Sequence, residues 1–285
     1  MKKILIYKIL IIVAGIYITA PLHAQIIYTK SDSLVYEKYI HNFSEYKDMP
    51  IGELIVETAL FFKNSPYVAS TLDKENEEKL TVNLREFDCT TLVETCIALS
   101  KAIKSGNTSF ENYCNILKQI RYRNGVIEDY ASRLHYVSDW IIENERYNVL
   151  KDITKDLGGK EMHKHINFMS THPSLYKQLL GNAKITDKIK KSELQLNKRD
   201  RSYVIGKALV CTIIKTVKNG DIVAFSTSIP GLDFSHIGIV YINKEHVTFI
   251  HASSSAKKVI IERKSLAEYC TNSKKCNGIA VLRLN

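Results

Sequence analysis

Proline and glycine are scarce in this chain, at 5 and 12 of 285 residues. That excludes long flexible or polyproline linkers between folded units. Internal repeats and low-complexity segments are missing too. No CxxC pair and no Cys/His grouping of zinc type occurs, so neither a metal nor another cofactor is expected. His163, His165 and His172 lie close together in HKHINFMSTH, but no acidic residue stands at a compelling ligand spacing. The basic stripe interleaved with aromatics that marks a nucleic-acid surface is absent. No apolar run reaches the roughly 20 residues that span a bilayer.

What is present is an ordinary globular composition, 45% hydrophobic and 25% charged, enough for a sizeable core without staples. The N-terminus is the exception. Lys2, Lys3 and Lys8 give a basic start, residues 9–20 (ILIIVAGIYITA) are apolar, and Pro21-Leu22-His23-Ala24 offers a cleavage site before Gln25. Residues 1–24 therefore read as a secretory signal peptide, and residues 25–285 as one exported domain, periplasmic or secreted; a retained anchor is the alternative. No cysteine follows the apolar run to accept a lipid. Removing residues 1–24 takes away three lysines and no acid, lowering the formal charge from +10 to +7. A basic exported surface suits an anionic partner. Without a nucleic-acid motif, a carboxylate-bearing wall polymer matches that charge equally well.

Six cysteines are sparse for a disulfide framework in a chain of this length. Cys96, Cys114 and Cys211 sit in apolar stretches and read as small buried hydrophobes. Cys270 and Cys276 bracket a polar loop and are placed to pair.

The first half of the chain reads helical. Ile51, Leu54, Ile55, Ala59 and Phe62 fall on one helix face within residues 49–62. Thr81, Asn83 and Arg85 alternate with Val82 and Leu84 as in a short strand. A second helix begins near Cys89, with Leu92, Cys96, Leu99 and Ile103 along its stripe and Ser105-Gly106-Asn107 ending it. A third begins with Thr108 as N-cap and Glu111 three residues on. The last third changes character. NGDIVAFST, HIGIVYIN, HVTFIHAS, KKVIIERK and GIAVLRLN are short β-branched runs, spaced for an antiparallel meander. Helices followed by strands predict an α+β fold.

Cys89 stands where an extended segment meets a helix, facing unpaired N–H groups and the positive end of the helix dipole. Both favour a thiolate and predict a lowered pKa, and the Cys89 N–H is a candidate oxyanion donor. A nucleophilic thiol needs a base and an orienting group. His236 opens one strand and His251 lies in the next, 15 residues on, which a hairpin about seven residues deep brings together. The order Cys, then His, then a second polar residue is that of papain-like enzymes.

At these residues the sequence resembles a known family. FDCTTLVE is similar to the nucleophile motif of the NlpC-type papain-like cell-wall hydrolases, and NGDIVAF with SHIGIVY to their strand pair. SPYVAS is similar to their PY-x-x-GG segment, although the two glycines are absent, so Ala69 and Ser70 reshape that part of the cleft. PYVASTL, SRLHYVSDW, GLDFSHIGIVY and IHASSS point more closely to the N-acetylmuramoyl-L-alanine amidase-like branch, over residues 51–284.

The resemblance implies a papain-like NlpC-type fold, with a central antiparallel sheet, N-terminal helices and an inserted region at about 110–200 that shapes the substrate cleft. It implies hydrolysis of amide bonds in peptidoglycan or muropeptides, with Cys89 as nucleophile, His236 as general base and His251 orienting it. Tyr67, Asp88 and Ser235 are carried over to substrate binding; the plainer reading of Asp88 is a helix cap. In the inserted region Arg133 is a candidate carboxylate clamp, Trp140 a sugar-stacking face and His135 their neighbour, with core packing the alternative for Trp140 and Tyr136. The bond expected to be cut joins muramic acid to L-Ala. The alternatives are the γ-D-glutamyl bond of the stem peptide, or wall binding without turnover.

Overall fold

The computed structural model describes residues 26–199 and 202–285. The expected signal peptide lies outside the described residues. Helix α1 (Lys30–Phe43) opens the chain with a capping box in which Thr29 and Asp32 satisfy each other's backbone N–H. Its inward face is aromatic, built from Tyr36, Tyr39 and Phe43. Next come α2 (Ile51–Phe61), α3 (Cys89–Ser105) and α4 (Phe110–Arg121). Gly106, at φ 74°, closes α3 in the left-handed conformation that glycine adopts without strain. The cap of α4 is Ser109, which accepts from Asn112 N–H, one residue beyond the expected Thr108. Thr108 instead gives its carbonyl to the Tyr36 hydroxyl. The strand expected around Thr81 reduces to a single bridge between Ile27 and Thr81.

After α4 the stretch expected to be inserted continues with α5 (Val137–Arg146), β1 (Leu150–Asp152), β2 (Lys160–Glu161), α6 (Phe168–Thr171) and α7 (Ala183–Lys198). It packs Tyr130, Tyr136, Ile166, Met169, Leu179, Ile189 and Leu196 into a small core of its own. The chain continues through β3 (Tyr203–Gly206), α8 (Val210–Ile213), β4 (Ile222–Thr227), β5 (Phe234–Asn243), β6 (His246–Ser253), β7 (Lys258–Ile261), α9 (Leu266–Asn272) and β8 (Cys276–Leu284).

The strands form one antiparallel sheet in the order β2-β3-β8-β4-β5-β6-β7, with β1 added against β8. All five strands expected from the C-terminal third are present. Side-chain alternation splits the sheet into two faces. Ile222, Ala224, Ile237, Ile239, Ile250, Ala252, Ala280 and Leu282 pack with the residues of α1 to α4. Val223, Phe225, Val240, Phe249, Ile279 and Val281 pack with Val210 and Ile213 of α8 and Leu266 and Cys270 of α9. Both faces of β4 are buried, which is why Ile222 to Phe225 read as a continuous apolar run. Cys96 and Cys114 are core residues as expected, but Cys211 is exposed, because α8 is a single turn that turns it to solvent. The Cys270 and Cys276 sulfurs face each other 2.7 Å apart across the loop they bracket.

Candidate active site

The segment leading into α3 is pinned on both sides. Pro66 to Val68 pair with Phe87 through Phe87 N–H to Pro66 O and Val68 N–H to Phe87 O, both 3.0 Å. Pro66 also bridges Lys258 at the start of β7. Asp88 then caps α3: its carboxylate accepts from Thr91 N–H at 2.8 Å, while Thr91 Oγ1 accepts from Asp88 N–H at 3.0 Å. The plainer reading of Asp88 is thus the one the structure shows. Cys89 follows as the first helical residue, half-buried, with its sulfur at the backbone N–H of Ile237 in β5.

On the sheet, a bulge places Ser235 as an extra residue in β5, since Ser226 pairs with Phe234 but Phe225 with His236. Ser235 is exposed at the site. The β5–β6 ladder runs from Asn243↔His246 to Ile239↔Ile250 and stops there. Beyond it His236 Nε2 lies 2.7 Å from His251 Nδ1. The rings of Phe225, Phe249 and Tyr269 enclose the pair, with Tyr269 centred 6.2 Å from His236 and 6.0 Å from His251.

Electrostatically, burial wins at this site. The Cys89 thiol is pushed up to about 11, first by burial and then by the Asp88 carboxylate, against the lowering effects of Thr90 and the Ile237 N–H. The expected depression of the thiol by the helix start is therefore overturned: a dipole at the first turn is worth about 0.3–1 kcal/mol, less than the desolvation of a thiolate. Burial likewise pushes His236 down to about 3, helped by the His251 charge, and His251 down to about 4. The resting pair is a neutral thiol and a neutral imidazole. Tyr67 is held above its ordinary value first by burial and then by Cys89 and Asp88, and its backbone bridges Phe87 two residues before the cysteine.

The candidates from the inserted region fare differently. Trp140 lies in the main core, 2% exposed, so its ring has no face for a sugar. Tyr136 is equally interior, donating to Glu193 at 2.7 Å. Arg133 is 8% exposed and committed inward, with Nη2 donating to Asp73 at 2.6 Å and Nε 3.2 Å from Glu78. That corrects the carboxylate clamp: the guanidinium already holds two carboxylates of the loop before Cys89. His135 Nε2 meets Tyr130 O at 2.7 Å, and burial lowers its pKa to about 3. A cleft of about 770 Å³ opens between residues 76–79 and the inserted region, lined in part by Tyr130, Lys177 and Gln178; neither Cys89 nor the histidines line it.

Sequence reasoning missed Glu262, whose Oε2 lies 3.5 Å from His251 Nε2. It follows β7 in VIIERK and resembles any exposed strand-end charge.

Fold and site together define an α+β protein in which a helix-start cysteine lies at the strand that carries one of two touching histidines on an antiparallel sheet. The chain belongs to the AmiA-like family, described as N-acetylmuramoyl-L-alanine amidase-like, whose model matches residues 57–279. An N-acetylmuramoyl-L-alanine amidase from Bacteroides uniformis is 36% identical, aligned over 82% of this chain and 99% of that one, with a TM-score of 0.78. A Bacteroides fragilis protein is 35% identical over 80% of this chain and all of its own, at a TM-score of 0.75. A Legionella pneumophila protein, 22% identical over 89% of this chain and 94% of its own, shares the fold at a TM-score of 0.68. No curated protein sequence matches the chain.

Proposed function

We propose that this chain is an exported cysteine amidase of papain-like, NlpC-type architecture that hydrolyses the N-acetylmuramoyl–L-alanine bond of peptidoglycan or muropeptides. The 2.7 Å contact of His236 with His251, next to a cysteine whose sulfur sits on the Ile237 N–H, carries the reading. The family and the B. uniformis relative supply the substrate class. A basic surface suits a carboxylate-bearing wall. Among the described residues no helix is long and apolar enough to cross a membrane.

In this mechanism His236 takes the thiol proton as sulfur attacks the lactyl carbonyl carbon. Charge on the carbonyl oxygen is met by the Cys89 N–H, which has no partner within the helix. The tetrahedral species collapses as His236 returns that proton to the L-Ala nitrogen, breaking the C–N bond and freeing the peptide amine. Water, deprotonated by His236, then splits the lactyl thioester and restores the thiol. A base with a pKa near 3 is a weak acceptor in the free enzyme. Proton transfer therefore accompanies attack rather than preceding it. Tyr67 and Ser235 border the reacting bond, and the cleft at residues 76–79 receives more distant parts of the substrate.

Mass spectrometry of products from a defined disaccharide-tetrapeptide tests the bond assignment. Release of intact tetrapeptide is expected. A sugar product retaining L-Ala-D-Glu would replace the amidase reading with γ-D-glutamyl cleavage.

A further inference from the structure

Glu262 is fixed before it meets His251. Its N–H donates to Phe249 O at 2.9 Å and its carbonyl accepts from Thr248 Oγ1 at 2.8 Å, so its backbone is clamped to β6. Within the carboxylate, Oε1 accepts from the N–H groups of Arg263 and Lys264 at 2.9 and 3.0 Å. Oε2 is left directed at His251 Nε2, 3.5 Å away. That ring nitrogen is buried and makes no hydrogen bond, which leaves the Glu262 carboxylate 3.5 Å away as the charged acceptor paired with it.

Building on the amidase reading, we propose that Glu262 is a positioning residue that sets the tautomers of both histidines and so presents His236 with Nδ1 free to take the Cys89 proton. The logic runs down a line of donors and acceptors. A carboxylate only accepts, so His251 carries its proton on Nε2. Its Nδ1 is then an acceptor, and the 2.7 Å contact requires His236 to donate from Nε2. His236 Nδ1 is left unprotonated. It is the ring nitrogen nearer the backbone, and the Cys89 sulfur lies at the backbone N–H of the next residue. When the thiol proton reaches Nδ1, the resulting imidazolium faces a line of acceptors ending in a negative charge. The charge on Glu262 already favours protonation of His236 against burial. Of the other ionisable groups, Tyr269 of α9 faces both histidines, while Asp88 at the start of α3 and Tyr67 from the loop after α2 act on Cys89.

Glu262→Gln tests this directly. The two backbone N–H groups hold the amide oxygen where Oε1 was, so the amide NH₂ faces His251 Nε2. The line inverts: His251 becomes protonated on Nδ1, and His236 on Nδ1 as well. In the full mature chain we expect imidazole ¹⁵N spectra to show that exchange, and iodoacetamide to label Cys89 at least ~10-fold more slowly at pH 7, with the midpoint of its pH profile moved upward. On a muropeptide that the wild type cleaves, kcat should fall by roughly 10²- to 10⁴-fold with KM nearly constant. Glu262→Asp, which keeps an acceptor, should restore the wild-type tautomers and part of the rate. Wild-type tautomers and a wild-type labelling profile in Glu262→Gln would overturn the proposal. A wild type that cleaves no muropeptide would sink the amidase reading alone, because spectra and labelling still decide the role of Glu262.

Discussion

His236 and His251 touch at 2.7 Å although they are not cross-strand partners. Continuing the β5–β6 register would set His236 opposite Ser253, but the ladder ends at Ile239↔Ile250. The contact is a diagonal made across the opening, and Gly238 leaves room for it. A Cβ on Gly238 would lie 2.6 Å from Phe249 Cδ2, 3.0 Å from Ile250 O and 3.4 Å from His251 Cβ.

Gly238→Ala should therefore move His251 away from His236. Overpacking of this kind costs about 1–3 kcal/mol. Thermal denaturation should show a folded protein with a lowered Tm. Muropeptide hydrolysis, measured well below that Tm, should fall much further than the folded fraction does. Equal losses of both would mean that the glycine serves packing alone.

Cys89→Ala should abolish hydrolysis and leave the fold in place. The side chain is small and half-buried, and the helix start is held by Asp88 and Thr91 rather than by the thiol. Circular dichroism and Tm close to wild type, with product formation at background, is the expected pair of results. A protein that no longer folds would make Cys89 a structural residue.

The sheet was legible because its strands are short, β-branched and divided by Gly, Asn, Lys and Ser, and α3 because its apolar stripe is unbroken. Other parts were hidden for identifiable reasons. The buried face of α1 is tyrosine and phenylalanine, so aliphatic periodicity does not reveal it. In α5 the inward residues include Ser138, Asp139, Glu143 and Asn144, which read as a solvated face. Cys89 and the histidines stood out by chemistry and placement. Glu262 did not, since its meaning lies in a side chain on another strand. Arg133 and Trp140 looked functional by residue type alone, and only the fold shows what already occupies them.

Inside the helical layer, Arg121 Nε donates to Glu94 at 2.7 Å, with both side chains almost fully buried. Arg121 Nη1 also holds Thr81 O at 2.7 Å. Replacing either partner by alanine leaves a buried charge unpaired and should cost about 3–5 kcal/mol. Replacing both with apolar residues of similar volume should cost much less, with the orphaned Thr81 carbonyl as the remaining penalty. Urea denaturation of the three variants tests this, and a double replacement as costly as the two alanine losses together would contradict the pairing.

Acid should destabilise this protein earlier than its carboxylates would. His135, His236 and His251 are held by burial at about 3, about 3 and about 4, below the ordinary imidazole value of 6.5. In that window the unfolded chain binds protons that the folded one refuses. Stability is therefore fully present above about pH 6.5 and declines as pH falls toward the folded values, by ~1.4 kcal/mol per pH unit for each group. Glu78, Glu94 and Asp233 work in the opposite sense, because burial raises their pKa values and the folded state takes up protons first. Their effect sets in above the ordinary carboxylate range and offsets part of the histidine slope, so a single-site variant is needed to isolate a histidine. His135→Gln isolates one of them, since the amide still donates to Tyr130 O, the contact His135 makes at 2.7 Å. Unfolding free energies from urea titrations at about pH 5 to 6.5 should show a slope for the variant shallower by ~1.4 kcal/mol per pH unit than for the wild type. Parallel slopes would mean that His135 titrates normally in the folded protein.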